Sequence, residues 1–245
     1  MIEVFTIISI IQNFNNEVKT MPITKDQNIH SIMEELIIIK EGINLWRHFF
    51  YEGFTERFVS ALKKFQITDE LADEKLVEAL KRVQGITEDE LTKKWFNEMQ
   101  SDFTQIMYGP HKLQIYPFES IQITGEKQLM QPLTFNIRKE YLQAGVALQN
   151  LNCIPDDFIA VELEFVFLLL DRALVYYNNG DIQGAIEDIV IFENFMKEHI
   201  LKWMPNYCKE ATFVAHESYT ASTFRIAETW LNELDKYINE IDLPA

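Results

Sequence analysis

Between residues 32 and 65, apolar side chains recur at steps of three and four: Leu36, Ile39, Ile43, Trp46, Phe50, Phe54, Phe58 and Leu62. That rhythm puts them on one face of an α-helix, whereas a strand would need alternation at every second residue. The same period returns along most of the chain, and runs of strict alternation are few. A helix with one apolar stripe must bury it against others. The expected fold is therefore all-α, a helical bundle of about eight to ten helices.

Punctuation residues divide the pattern. Gly42 and Gly53 weaken or break the first helix. A second follows Thr68-Asp69 and takes in Leu71, Leu76, Val77 and Leu80. Thr87-Glu88-Asp89-Glu90 has the form of a capping box and starts a helix through Leu91, Trp95, Phe96 and Met99. Gly109, Pro110, Pro117, Gly125 and Pro132 then mark residues 108–132 as a long ordered loop, with room for a short strand pair at 113–115 and 121–123. Helix resumes over 133–148, and residues 151–155 read as a hinge or turn. Pro155 opens the next helix with Asp156 and Asp157 in its first turn, where the helix dipole favours carboxylates. This helix stops at Asn178-Asn179-Gly180, Asp181 caps its successor, and that one ends before Pro205. A final helix covers 210–241. Residues 173–186 look like the turn of a tetratricopeptide repeat, but no second copy follows, so a tight helix–turn–helix is expected.

Several function classes are disfavoured. A net charge of −16 repels phosphate backbones and anionic membranes and attracts basic peptides. No run of about 18 apolar residues is present, and the apolar stretch 165–170 is bracketed by Glu164 and Asp171. Residues 1–11 are apolar but carry Glu3 and no basic flank, so no secretory leader is expected. Cys153 and Cys208 give no disulfide framework or zinc spacing and suit a reducing compartment. The five histidines are scattered and read as surface or helix-end residues, so no metal and no cofactor is expected. Phosphate-binding loops and a GxSxG elbow are absent, which argues against an enzyme. Glu162 shares a helix face with Phe158, Phe165, Leu169 and Tyr176. A carboxylate there either pairs with another helix or opens onto a groove.

Four stretches, in order, resemble the TorD/DmsD/NarJ family of molybdoenzyme-maturation chaperones. They are Arg47-His48-Phe49-Phe50-Tyr51; Phe103-Thr104-Gln105-Ile106-Met107-Tyr108-Gly109-Pro110 with Tyr116-Pro117-Phe118-Glu119-Ser120; Pro155-Asp156-Asp157-Phe158-Ile159-Ala160-Val161-Glu162-Leu163-Glu164-Phe165; and Phe195-Met196-Lys197-Glu198-His199-Ile200-Leu201-Lys202-Trp203-Met204-Pro205. The third departs from the family signature E-P-D-D-H at its ends, with Ile154 in place of Glu and Phe158 in place of His. The resemblance implies two helical parts, 31–152 and 153–245, joined at a hinge, and leaves residues 1–30 as an extension without a role. It also implies a cytoplasmic chaperone for the catalytic subunit of a molybdenum oxidoreductase. Such a protein holds the client's leader, often a twin-arginine signal peptide, until cofactor insertion is complete, and controls export.

On that basis the leader is expected in a groove between the 116–120 loop and the 155–162 segment. Tyr116, Phe118 and Phe158 would supply apolar contact. Glu119, Asp156 and Asp157 would face leader arginines, and Pro117, Ser120, Pro155 and Glu162 complete the set. A monomer and a domain-swapped homodimer are both compatible with a hinge. The alternative is a helical-repeat-like protein–protein adaptor without a redox client.

Overall fold

The computed structural model describes residues 25–64, 74–109, 113–149 and 153–241. The regular structure in them is helical: α1 (Lys25–Glu52), α2 (Glu56–Lys63), α3 (Glu74–Gly85), α4 (Lys93–Met107), α5 (Glu119–Thr124), α6 (Pro132–Gln143), α7 (Ile159–Asn178), α8 (Ile182–Phe195), a π-turn (Met196–Ile200) that continues into α9 (Leu201–Val214), and α10 (Ser218–Glu240). This is the expected all-α bundle.

Gly42 lies inside α1, and Gly53 ends it. Gly53 adopts φ +79, and a Cβ there would stand 2.4 Å from Gln100 Oε1. That oxygen accepts from Phe54 N while Gln100 Nε2 donates to Glu52 O, so one side chain of α4 closes the break between α1 and α2. Asp181 caps α8 as expected, accepting from Gly184 N at 2.9 Å. α1 packs on α7, α7 on α8, and α10 on both α9 and α3. The resulting core draws side chains from both sides of residues 151–155. At its centre Phe49 stacks on Phe58 at 4.6 Å, and Trp46 meets Trp230 at 6.2 Å.

Four local expectations need correction, and others fall wholly or partly outside the described residues. The capping-box bonds form, with Thr87 N and Oγ1 each donating to Glu90 Oε2 at 2.7 Å, but they close a turn. α4 is instead capped by Thr92, whose hydroxyl accepts from Trp95 N. No strand pair occupies 113–123: residues 121–123 lie in α5, and the β feature there is a single bridge between Phe118 and Phe158. Pro155 does not open α7, which begins at Ile159 because Asp156 and Asp157 are turned towards other helices. The helix expected to stop before Pro205 runs through it, and the break comes instead at 215–217. Thr68, Asp69, Leu71, Pro110, Leu151 and Asn152 lie outside the described residues, as does the extension up to residue 24, while residues 25–30 belong to α1.

Candidate functional site

Two helix starts lie side by side. Phe118 precedes α5 and Phe158 precedes α7; both are extended, and the bridge between them holds the segments antiparallel. Glu119 N donates to Asp157 O at 3.0 Å, and Ile159 N donates to Pro117 O at 3.1 Å. The first amides of a helix lack intrahelical acceptors. Asp157 satisfies one of them in the neighbouring helix: its Oδ2 accepts from Ser120 N at 3.0 Å. Asp156 is tied to α6, where Arg138 donates to its Oδ2 and Tyr141 OH donates to its carbonyl at 2.9 Å.

Beneath this joint lies a buried polar cluster. His199, on the π-turn, places Nδ1 2.9 Å from Glu119 Oε2 and Nε2 3.2 Å from Glu140 Oε1. Burial works against a charged His199, but the two carboxylates outweigh it and hold its pKa above the usual histidine value. Glu162 is fully buried. Its Oε2 accepts from Trp203 Nε1 of α9 at 3.1 Å, while its Oε1 accepts from no side chain. Burial raises its carboxyl well above the ordinary range, and the neighbouring Glu119 raises it further. Both effects favour the neutral, protonated form of Glu162 beside Glu119. Of the two readings of this residue, the pairing with another helix is the one observed.

The joint also carries an aromatic track. Phe118 meets Phe158 at 5.5 Å, Phe158 meets Tyr108 at 6.1 Å, and Tyr108 OH donates to Tyr51 O. Tyr51 and Tyr108 are about half exposed, at 58% and 48%. Tyr51 leads into a groove of about 420 Å³, whose apolar lining includes Leu148, Ile154, Ala160 and Val161 and whose walls carry Glu52 and Glu164. Arg47 on the same wall is paired with Glu164 and lies over the Phe167 ring at 4.1 Å.

The ten residues singled out by sequence thus fall in two groups. Tyr116, Phe118 and Pro155 are partly exposed, while Pro117, Glu119, Ser120, Asp156, Asp157, Phe158 and Glu162 are buried. All belong to one joint, together with partners that the sequence reading did not select. His199 and Trp203 sit in the fourth motif, Tyr51 in the first and Tyr108 in the second, so their signal was present. Arg138, Glu140 and Tyr141 carry none. His199 also departs from the expected surface or helix-end histidine: it is buried between two carboxylates. Among the described residues no group of three or more His, Cys, Asp or Glu side chains could hold a metal ion, and no helix is long and apolar enough to cross a membrane.

Comparison with family models matches residues 66–209, more than half of the chain, to the nitrate reductase delta subunit family. The matched span contains both helix starts of the joint and the buried cluster, while Tyr51 and the α1 side of the groove precede it. No curated protein matches the chain.

Proposed function

The chain belongs to the nitrate reductase delta subunit family, a family of molybdoenzyme-maturation chaperones, and from that premise we propose that it holds the N-terminal leader of one molybdenum oxidoreductase catalytic subunit in the cytoplasm. There it would keep the apoenzyme open for cofactor insertion and delay export. The observation that carries this reading is the aromatic track from Phe118 to Tyr51 and the apolar groove beside it. Aromatic anchors next to an apolar pocket supply much of the affinity for a short peptide. A leader's apolar segment would lie over the accessible members of the track, Phe118, Tyr108 and Tyr51, and along the groove. Its basic residues would meet Glu52 and, by displacing Arg47, Glu164, and beyond them a chain of net charge −16. Tyr116, Phe118 and Pro155 supply contact from the joint. Pro117, Glu119, Ser120, Asp156, Asp157, Phe158 and Glu162 shape it from behind. A leader arginine that reached Asp156 would first have to displace Arg138.

The test is calorimetry with synthetic peptides covering the first thirty or so residues of each molybdenum oxidoreductase catalytic subunit of the same organism. One peptide should bind, and Tyr51→Ala or Phe118→Ala should weaken it about 30-fold, as expected for the loss of a hot-spot aromatic of ~2 kcal/mol. Unchanged affinity in both variants, with the fold intact by circular dichroism, removes the track from the site. If no peptide binds, the leader reading fails.

A further inference from the structure

The joint is assembled around shared protons. Carboxylates only accept hydrogen bonds when ionised, and a neutral imidazole donates from one nitrogen alone. Both ring nitrogens of His199 face carboxylates, Glu119 on one side and Glu140 on the other, so the arrangement calls for the imidazolium. Glu162 lies beside Glu119 and its Oε1 is buried with no donor, so two carboxyl groups in this place call for a proton on one of them. The groups that meet here come from every element packed at the joint: Glu119 from α5, Glu140 and Tyr141 from α6, Asp157 and the Arg138-paired Asp156 from the turn before α7, Glu162 from α7, and His199 with the Trp203 indole from the π-turn and α9. Glu198 and Lys202, neighbours on the same stretch of helix, pair with each other.

We propose that this cluster is a proton-held latch, in which the protons on His199 and Glu162 fasten the 116–120 loop and α5 to the π-turn and to α7, and their loss releases that segment while the rest of the bundle stays folded. Two features make the release local. α5 is only six residues long and makes its main helix contacts with α9 and α6. Its start is held by Asp157 and Glu119, whereas the large apolar contacts of the core lie between α1, α7, α9 and α10. A path to solvent exists, because the Glu140 side chain that touches His199 Nε2 is 45% exposed. Both groups have folded pKa values raised above their ordinary ones, so the native state binds more protons than the unfolded one. The latch is thus complete below the ordinary values and loosens as pH rises through the raised ones. Phe118 rides on the released segment. That this changes client binding rests on the function proposed above; the latch itself does not.

Hydrogen–deuterium exchange of the full chain, corrected for the intrinsic pH dependence of exchange, tests the latch without any client. Protection of peptides covering 116–124 should fall at least tenfold between pH 6 and pH 8.5 in the wild type, with peptides from α10 unchanged. His199→Gln together with Glu162→Gln keeps amide donors towards Glu119 but removes both titrations, and should abolish the fall. Equal protection of 116–124 at both pH values overturns the latch, as does a parallel loss in α10 or a slope retained in the double variant. The wild-type ring resonances of His199 decide the matter even if the variants fail to fold: titration above the ordinary histidine value is expected, and titration at or below it overturns the proposal.

Discussion

Arg138 donates from Nε and Nη2 to a single oxygen of Asp156, at 3.0 and 2.6 Å, and so fastens α6 to the turn before α7. The Asp156 side chain is 1% exposed, so removing the guanidinium leaves a buried carboxylate behind. Arg138→Ala should lower stability by ~3 kcal/mol, within the range for breaking a buried ion pair from one side. Urea unfolding measures it. The double variant Arg138→Ala/Asp156→Ala should recover part of the loss, because no uncompensated charge remains.

Asp102 performs a similar service before α10. It sits on α4, and its two oxygens accept from His216 N at 3.1 Å and Glu217 N at 2.9 Å, just before α10. Asp102→Ala strips both acceptors and should cost ~2 kcal/mol, the upper end for a lost helix cap. A thermal melt that fails to move would show that water replaces the carboxylate.

Glu35 gives a pH dependence of defined sign. Burial raises its carboxyl above the ordinary value, against the opposing hydrogen bond from Tyr237 OH. The native state therefore keeps this proton longer than the unfolded state does. Its contribution is complete below the ordinary value of 4.5 and is lost as pH rises through the raised one. Glu35→Gln preserves an acceptor for Tyr237 and removes the titration. Denaturation midpoints from pH 4.5 to 7 should fall less steeply in the variant than in the wild type.

Leader binding should weaken with salt. The attraction between a basic peptide and a chain of net charge −16 is screened within ~10 Å at 0.1 M salt and ~3 Å at 1 M. Affinity should drop about tenfold between these conditions, with most of the loss in the association rate. A salt-independent affinity would assign binding to the aromatic track alone.

The helical class was legible because the stripe through Leu36, Ile43, Trp46 and Phe50 fits only one period. The cap at Asp181 and the stop at Gly180 were legible for the same reason: each is a local event with a local cause. Asp156 and Asp157 were misread because their partners, Arg138 and Ser120, are distant in sequence, and a carboxylate before a helix looks the same whichever helix it caps. Pro205 was misread as a stop. The buried stripe from Ala185 to Ala211 makes seven intervals in 26 residues, where ideal α-helix needs about 25. The π-turn supplies the extra residue, and it lies directly before Leu201, whose carbonyl the Pro205 ring would crowd. Nothing in the composition of that segment announces a widened turn. His199 was missed because an imidazole is defined by what surrounds it, and Glu119 and Glu140 reach it from other helices.

The contact between Trp46 and Trp230 joins the first described helix to the last. A ribosome delivers the chain from its N-terminus, so α1 emerges long before α7 and α10 can cover its apolar stripe. Contacts this far apart in sequence close late and slowly. During its own synthesis the protein is thus a nascent chain with an exposed aromatic face, in need of the same protection that it is proposed to give to others, until Trp230 is out and α10 has docked.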